Sequence, residues 1–335
     1  MSIAVCSFLP TSLSAAEAPL RLCALYPHLK DSYWLSVNYG MVDEAKKLGV
    51  DLKVFEAGGY PNQTKQKEQL QNCQRWNADA IILGTVAPDL YMNNLRQFAV
   101  DIPVFASVNE LILGSHSREQ LKGEVGVDWY WMGYYTGQYM KDKHPRGSGT
   151  KNIVLLPGPD SSGGTKPVIR GFLSAIEDSD IQVVETYWAD NDKELQRNLV
   201  QQSIEREDLD YIVGSAVAIE AAISELRTAG KTEQIGLIST YLSHGVYRGL
   251  LRNRVEFAPT DKMVKQGRLS VEQAVSYLKG QPYEKSEAPI IEALTPENLK
   301  PQVISDSLSP SEYRPTFYVN TVSYTHLRAH ETDTD

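Results

Sequence analysis

The stretch LRLCALYPHLKDSYWLSVNYGMVDEAKKLGVDLKVFEAGG, residues 20–59, determines the predicted fold of this chain. It reads as an apolar strand, a turn-rich loop, an amphipathic helix and a second strand. The stretch TKNIVLLPGPDSSGGTKPVIRGFLSAIEDSDIQVVETYWAD, residues 150–190, repeats this plan 130 residues later. A strand, a helix and a parallel strand form one right-handed βαβ unit. We therefore predict an α/β fold with two doubly wound, Rossmann-like parallel sheets, one in each half of the chain.

Three further segments shape this prediction. Pro88 indicates the start of a helix that runs to Phe98, because proline is favoured in a first helical turn. Residues 255–258 are predicted to form the last strand of the second half. The long helix predicted over residues 262–279 follows that strand, and its periodicity alone does not show on which half it packs.

The composition is that of a soluble globular protein and limits the possible partners. Of 335 residues, 42% are apolar and 22% are charged, and the formal net charge is −9. A chain of this length has room for two domains with separate cores. The negative charge and the lack of a basic run argue against a nucleic-acid partner. No stretch approaches roughly 18 consecutive apolar residues, so no membrane span is predicted.

Both ends of the chain are atypical in sequence. Residues 3–13 are mostly apolar and precede Ser14-Ala15-Ala16, small residues of the kind found at signal-peptide cleavage sites. Because no Lys or Arg precedes Arg21, we predict a truncated signal peptide over residues 1–16, with an unprocessed tail as the alternative. Residues 321–335 read TVSYTHLRAHETDTD, without strand or helix periodicity. We interpret this segment as a non-native tail and exclude it from the fold prediction.

The cysteines leave two alternatives open. Cys6 lies within the predicted signal peptide, Cys23 on the first strand and Cys73 on the second helix. In a doubly wound sheet with strand order 2-1-3, the second crossover passes over strand one and can bring Cys23 and Cys73 together. An exported chain with two cysteines is expected to bridge them, and two buried free thiols are the alternative.

Motifs for catalysis, cofactors and metals are missing from the sequence. There is no GxGxxG or P-loop spacing, no GxSxG around a serine, and no Cys or His cluster with metal-ligand spacing. We therefore predict no enzyme activity, no catalytic residue, no cofactor and no metal site.

Large aromatic side chains instead follow several predicted strands. Ligands of open α/β sheets bind beyond the carboxyl ends of the strands, where these residues are expected. A box of aromatic faces attracts a methylated or quaternary ammonium group through the ring quadrupoles. Core packing is the alternative role for each ring, and we assign Tyr130 and Trp131 to packing of their helix. The predicted ligand-binding residues are Asp31, Tyr33, Trp34, Tyr60, Trp129 and Tyr241.

The segment PTDKMVKQGRLSVEQAVSYLKGQPY, residues 259–283, and the two-half plan resemble type I periplasmic binding proteins of the ribose-binding kind over residues 20–319. The resemblance implies two domains joined by a three-strand hinge, with the helix after the last cleft strand returning to the first domain. The implied N-terminal domain is 19–127 plus 260–282, and the implied C-terminal domain is 128–259 plus 283–319.

A narrower resemblance is to the sensory branch of this family that binds trimethylamine N-oxide. It is carried by residues 22–41, 51–60, 155–164, 190–199 and 241–250, of which the last reads YLSHGVYRGL. The resemblance implies a periplasmic protein that binds trimethylamine N-oxide in an interdomain aromatic cleft. It also implies a relay to the periplasmic domain of a membrane sensor histidine kinase that controls anaerobic respiration genes.

Two questions stay open at the level of sequence. The alternative function is a sugar- or autoinducer-binding protein of the same fold that serves an ABC transporter or another sensor. The role of Asp31 is the second question, because a carboxylate repels the oxygen of an N-oxide. Either Asp31 is protonated, or it orients another donor such as a tryptophan N–H.

Overall fold

The computed structural model describes residues 18–160 and 164–321, so the predicted signal peptide and residues 322–335 of the predicted tail lie outside the described residues. The strands are β1 Arg21–Tyr26, β2 Asp51–Glu56, β3 Ala80–Leu83, β4 Val104–Ser107, β5 Leu121–Val125, β6 Lys151–Gly158, β7 Ile181–Trp188, β8 Tyr211–Gly214, β9 Gly236–Ser239, β10 Ala258–Thr260, β11 Ser286–Glu287, β12 Glu292–Leu294 and β13 Tyr318–Val319. The helices are α1 Ser32–Leu48, α2 Gln63–Arg75, α3 Leu95–Ala99, α4 Ser115–Arg118, α5 Trp129–Lys143, α6 Thr165–Ile176, α7 Lys193–Ile204, α8 Ala216–Ala229, α9 His244–Leu251, α10 Met263–Leu278 and α11 Pro301–Ser307.

Each half of the chain builds one largely parallel sheet, as the repeated βαβ plan predicts. The first sheet has the order β11-β5-β4-β3-β1-β2-β13, and the second has the order β7-β6-β8-β9. Both contain the 2-1-3 order of a doubly wound fold, as β2-β1-β3 and as β7-β6-β8. The central strands β1, β3, β6 and β8 are almost wholly apolar and buried, as expected for strands covered by helices on both faces.

The last segments of the chain differ from the sequence prediction. The two-residue strands β11 and β13 pair with β5 and β2 of the first sheet, whereas residues 283–319 were assigned to the second half. Strand β10 starts at Ala258 and pairs antiparallel with β12, so the strand predicted over residues 255–258 lies further along the chain. At residues 255–258, the described contact with the second sheet is a single parallel bridge between Ile238 of β9 and Phe257. The domain boundaries as a whole stay a prediction.

The helix predicted over residues 88–98 is wrong in its first seven positions. Helix α3 begins only at Leu95. Before it, the amides of Leu90, Met92 and Asn94 each donate to a carbonyl three residues earlier, which is the pattern of successive turns. The hydroxyl of Thr85 also accepts from the amide of Ala87, a local bond that competes with helix formation.

Helix α10 packs against α1 of the first half. Its Arg268 guanidinium lies 3.0 Å from the Asp43 carboxylate of α1. At the start of the helix, the buried Asp261 side chain accepts a hydrogen bond from Tyr33, which is also on α1. This packing brings the crossing between the two halves next to the first turn of α1.

A disulfide joins Cys23 of β1 to Cys73 of α2, with the two Cα atoms 5.8 Å apart. Both residues are fully buried in a cluster that also contains Leu70, Ile81 and Leu95. The bridge forms because α2 crosses over β1 on its way from β2 to β3. The sequence left open whether these cysteines are bridged or are two free thiols, and in the structure they are bridged.

Candidate functional site

A cavity of about 70 Å³ lies between the two halves. Its walls come from the loops that follow strands of both sheets, which is where open α/β sheets bind ligands. The volume is several times the roughly 10–15 Å³ that one water molecule requires, and well below the about 300–1,000 Å³ of a site for a drug-sized ligand. The cavity therefore suits a very small molecule.

The first wall is built by the start of α1. Asp31 is the N-cap, and its Oδ1 accepts from the amides of Tyr33 at 3.1 Å and Trp34 at 3.2 Å. An acidic N-cap satisfies amides that a helix leaves without partners in its first turn. This capping fixes the backbone from which both aromatic side chains project. Asp31 thus fixes the backbone of Tyr33 and Trp34, and its predicted role in orienting a donor such as a tryptophan N–H stays a prediction.

Tyr33 is the centre of the aromatic cluster. Its ring centroid lies 6.0 Å from that of Trp34, 5.9 Å from that of Trp129 and 5.6 Å from that of Tyr241. Trp129 begins α5 and Tyr241 follows β9, so both belong to the second half of the chain. The rings of the two halves therefore meet at Tyr33.

Trp34 combines packing with lining of the cavity. It is only 2% exposed and stacks on Tyr26 of β1, with ring centroids 5.5 Å apart. Its Nε1 donates to the hydroxyl of Tyr60 at 3.3 Å. Trp34 therefore packs in the core and also lines the cavity, and its contact with a ligand stays a prediction.

The hydroxyl groups of the cavity stay protonated at neutral pH. Burial raises the pKa of Tyr60 to about 12. Burial also raises the pKa of Tyr33 and the pKa of Tyr241 well above their usual range, and the nearby carboxylates of Asp261 and Asp31 add to the two rises respectively. The Tyr60 and Tyr241 phenols are therefore available as hydrogen-bond donors, whereas the Tyr33 hydroxyl donates its proton to Asp261.

Two buried donors in the cavity wall lack a partner. Trp129 Nε1 and the Tyr241 hydroxyl donate no hydrogen bond to any of residues 18–160 and 164–321. Buried polar groups are nearly always hydrogen-bonded, because leaving one unpaired costs about 1–3 kcal/mol. Both side chains line the cavity. A ligand with a strong acceptor would satisfy them.

The charged groups around the cavity are acidic. Asp31 and Glu110 line it, and none of the described lining residues is Lys, Arg or His. His28 lies just behind, buried, with its Nε2 3.9 Å from Asp31 Oδ2 and its ring edge-on to Tyr60. The cavity therefore favours a neutral or cationic group over an anion.

Asp261 supports the cluster from behind Tyr33. Its Oδ2 accepts from the Tyr33 hydroxyl at 2.5 Å and from Gln266 Nε2 at 2.8 Å, and the residue is fully buried. Burial raises the pKa of Asp261, and the hydrogen bonds donated by Tyr33 and Gln266 oppose part of that rise. Its position between β10 and α10 places this contact where the chain crosses between the halves.

The raised pKa of Asp261 makes a pH-dependent stability difference testable. The folded state keeps the proton of Asp261 at pH values where the unfolded chain has lost it. The resulting contribution to the free energy of unfolding is complete below the ordinary pKa of 3.8 and is lost as pH rises through the raised pKa. Asp261→Asn keeps an acceptor for Tyr33 and cannot ionise. We expect the free energy of unfolding of the variant, relative to wild type, to increase as pH rises from 4 to 7.

Urea unfolding at several pH values measures this difference. The matched control is Asp89→Asn, which changes an exposed carboxylate that makes no ion pair among the described residues. Parallel pH profiles for wild type and both variants would contradict the assignment of a perturbed carboxyl group to Asp261.

The cavity brings together all the residues that the sequence analysis selected. Asp31, Tyr33, Trp34, Tyr60, Trp129 and Tyr241 are all among its lining residues, although their role in binding stays a prediction. Sequence reasoning missed further lining residues, and most of them lie at or just after the end of a strand or at the start of a helix. They are Thr85, Val86, Ala87, Pro88, Asn109, Glu110, Pro157, Pro159, Gly164, Thr165, Val168, Asn191 and Thr240.

The described residues show neither a metal site nor a membrane span. Across residues 18–160 and 164–321, no group of three or more His, Cys, Asp or Glu side chains is placed to hold a metal ion. Within the same residues, no helix combines the length and the apolar character needed to cross a membrane.

Comparison with known proteins identifies the family. The family model described as "Periplasmic binding proteins and sugar binding domain of LacI family" matches residues 20–313. The chain belongs to the periplasmic binding protein family. The resemblance given by the sequence is thus confirmed, and so is the type I fold of this family with two parallel sheets.

Within the family, the chain is similar to proteins named TorT. The periplasmic protein TorT of Escherichia coli (strain K12) is 45% identical over 313 residues, which cover 92% of this chain and 87% of the relative. The crystal structure of a TorS sensor domain–TorT complex without ligand has 64% identity and a TM-score of 0.86, covering 89% of this chain and 99% of that chain. The corresponding complex with TMAO, trimethylamine N-oxide, has 65% identity, the same TM-score and the same coverage.

A third similar structure comes from a transport protein. It is an ABC transporter solute binding protein from Bradyrhizobium sp. BTAi1 with bound bis-tris. It is 35% identical, with a TM-score of 0.77, and the match covers 93% of this chain and 92% of that chain. The narrower resemblance to the sensory branch is therefore confirmed. The TorT chains of the two complexes are 64–65% identical to this chain, whereas the transport protein is 35% identical.

Proposed function

We propose that this chain is a periplasmic sensory protein that binds trimethylamine N-oxide in the cavity and passes its presence to a membrane sensor histidine kinase. The observation that carries the proposal is the ring cluster around Tyr33 together with two unpartnered donors, Trp129 Nε1 and the Tyr241 hydroxyl. The kinase would be of the TorS kind and would control anaerobic respiration genes.

The rings suit the methylated end of this ligand. Trimethylamine N-oxide carries positive charge on nitrogen, and its methyl groups present that charge to a surrounding surface. Aromatic faces attract such a group through their quadrupoles, with about 2 kcal/mol for a desolvated contact. Tyr33, Trp129 and Tyr241 supply aromatic rings to the cavity from both halves, and none of the described lining residues is a cation that would repel the charge.

The unpartnered donors suit the opposite end. The oxygen of an N-oxide carries negative charge and accepts hydrogen bonds, and charge-assisted bonds are about twice as strong as neutral ones. Trp129 Nε1, the Tyr241 hydroxyl and the proton of the Tyr60 hydroxyl are candidate donors. Asp31 then acts through the first turn of α1, where it holds Tyr33 and Trp34.

The complexes of similar proteins indicate which partner this chain binds. TorT proteins at 64–65% identity are seen in complex with the TorS sensor domain, both without ligand and with TMAO. The ligand cavity of this chain has walls from both halves, so occupancy can favour one relative position of the halves over another. A kinase domain that contacts the protein can read that difference.

The remaining parts of the proposal concern export and chemistry. We propose that the mature chain works in the periplasm after removal of the segment 1–16, since the relative at 45% identity is named a periplasmic protein. We also propose that it acts by binding alone, without catalysis. The two domains are proposed to hinge about Asp128–Trp129 and 257–261, with 19–127 and 260–282 forming most of the first.

A thermal-shift panel tests the ligand. Trimethylamine N-oxide, betaine, choline, ribose and galactose are each added to the purified chain. A ligand at 100 times its Kd adds about 2.7 kcal/mol of stability. We expect trimethylamine N-oxide to raise the Tm most, with no shift from either sugar. A shift from a sugar and none from trimethylamine N-oxide would contradict the proposal.

A transport-linked role is the second candidate. It is favoured by the solute binding protein with bound bis-tris, which is 35% identical over almost the whole chain. The same protein fold would then deliver a small amine, a sugar or an autoinducer to an ABC transporter. Binding of the kinase sensor domain distinguishes the two candidates.

A further inference from the structure

Helix α5 exposes an aromatic face that the rest of the described chain leaves uncovered. Residues 129–140 read WYWMGYYTGQYM, a stretch without a charged residue. Trp131 is 45% exposed, so its assignment to packing of the helix is wrong, and Tyr135 is 42% exposed. A surface helix normally presents polar residues to water, and a helix that is apolar all round is normally buried. This helix therefore has the composition of one that is covered by a partner.

The rings on this face form one continuous aromatic patch, which consists of Tyr130, Trp131, Tyr134 and Tyr135. The ring centroid of Trp131 lies 5.4 Å from that of Tyr130, 5.3 Å from that of Tyr134 and 6.3 Å from that of Tyr135. Tryptophan and tyrosine are enriched among the residues that carry the energy of protein–protein interfaces. The patch thus has the chemistry of a protein-binding surface.

The opposite face of α5 is packed tightly on α6. The backbone of Gly133 lies against the carbonyl of Val168, and that of Gly171 lies against the carbonyl of Tyr130, so neither position has room for a Cβ atom. Backbone contact of this kind makes the two helices one rigid unit. The same unit supplies Trp129, Thr165 and Val168 to the ligand cavity. The aromatic patch and one wall of the cavity therefore move together.

We propose that the aromatic patch is the docking site for the periplasmic sensor domain of the partner kinase. This inference rests on the proposed sensory function and names the surface that performs the relay. The patch and Trp129 lie on the same helix. When ligand binding changes the position of the second half, a partner bound to the patch therefore moves with it. Ligand occupancy and partner contact are then linked through one rigid pair of helices.

The absence of charge and the complexes of the relatives favour the sensor domain over other occupants. Membrane-surface helices combine apolar residues with Lys and Arg, whereas residues 129–140 carry no charge. The exposed parts of Trp131 and Tyr135 amount to roughly 200 Å². The relatives at 64–65% identity are seen in complex with a TorS sensor domain, which favours a sensor domain over a second copy as the occupant. Anchors of this size lie at the centre of a wider interface, such as one with a separate folded domain.

The test is calorimetry of the full chain with the purified sensor domain of its kinase, with and without trimethylamine N-oxide. The first variant is Trp131→Ala with Tyr135→Ala. The second is Tyr135→Lys, which introduces a good helix former and places an unpartnered charge in the patch. Phe317→Ala, which removes a ring that is 51% exposed beside β13, is the matched control. We expect both patch variants to bind the sensor domain at least tenfold more weakly and to bind trimethylamine N-oxide as wild type does.

Several outcomes would overturn the inference. Wild-type affinity of Tyr135→Lys for the sensor domain would overturn it while leaving the sensory function in place. Loss of a wild-type dimer in the patch variants, or loss of binding to anionic phospholipid vesicles, would assign the patch to a second copy or to the membrane. Failure of the wild-type chain itself to bind the sensor domain would overturn the proposed function together with this inference.

Discussion

Trp129→Ala is expected to lower the affinity for trimethylamine N-oxide by roughly a hundredfold. The change removes a ring next to Tyr33 and a buried N–H that has no partner among the described residues. A desolvated cation–π contact contributes about 2 kcal/mol and a hydrogen bond about 1 kcal/mol, and each 1.4 kcal/mol corresponds to a factor of ten. Isothermal titration calorimetry measures the change directly.

Matched variants separate the two contributions of Trp129. Trp129→Phe keeps a ring and removes the N–H, so it should lose less affinity than Trp129→Ala. Trp131→Ala is the control, because this exposed tryptophan of the same helix does not line the cavity. Unchanged affinity in Trp129→Ala and also in Trp34→Ala would remove the aromatic cage from the account.

Loss of the Cys23–Cys73 bridge is expected to cost about 4 kcal/mol of the free energy of unfolding. The bridge closes a loop with a sequence separation of 50, and chain-entropy arguments give about 4 kcal/mol for a loop of that length. The double variant Cys23→Ala with Cys73→Ala, unfolded in urea beside the oxidised wild type, provides the measurement. Neither cysteine lines the ligand cavity, so affinity for trimethylamine N-oxide should change little.

Reductant serves as the control for this stability prediction. Dithiothreitol should destabilise the wild type by a similar amount and leave the double variant unchanged. Mass spectrometry of natively exported, alkylated protein should find neither Cys23 nor Cys73 modified. Two alkylated cysteines in that protein, with no effect of dithiothreitol, would be incompatible with a structural disulfide.

The convergence of the aromatic residues on one cavity was predictable from their positions in the fold, although their role in binding stays a prediction. Tyr33 and Trp34 follow β1, Tyr60 follows β2, and Tyr241 follows β9, so a correct strand pattern places all of them at one edge of the sheets. Trp129 begins the helix after the last complete strand of the first sheet. Local periodicity was sufficient for these assignments, because strand ends in parallel sheets share one edge.

Contacts between distant segments were not predictable from the same pattern. Tyr33 and Asp261 are separated by 228 positions, and no local signal connects a phenol on one helix to a carboxylate before another. The strands β11 and β13 are two residues long, too short to show a period of two, so their return to the first sheet was missed. At residues 88–94 the first-turn proline was outweighed by side-chain and turn hydrogen bonds that only the folded loop reveals.

The central claim is that ligand in the cage is communicated to the kinase, and the linkage between the two binding events tests it most directly. The Kd for the purified sensor domain is measured by calorimetry with and without saturating trimethylamine N-oxide, and the Kd for trimethylamine N-oxide with and without the sensor domain. Linkage requires the two ratios to be equal, and coupling of 1–3 kcal/mol corresponds to about 5- to 150-fold. We expect equal ratios in that range. Absence of sensor-domain binding in both states would contradict the account and favour the transport-linked role.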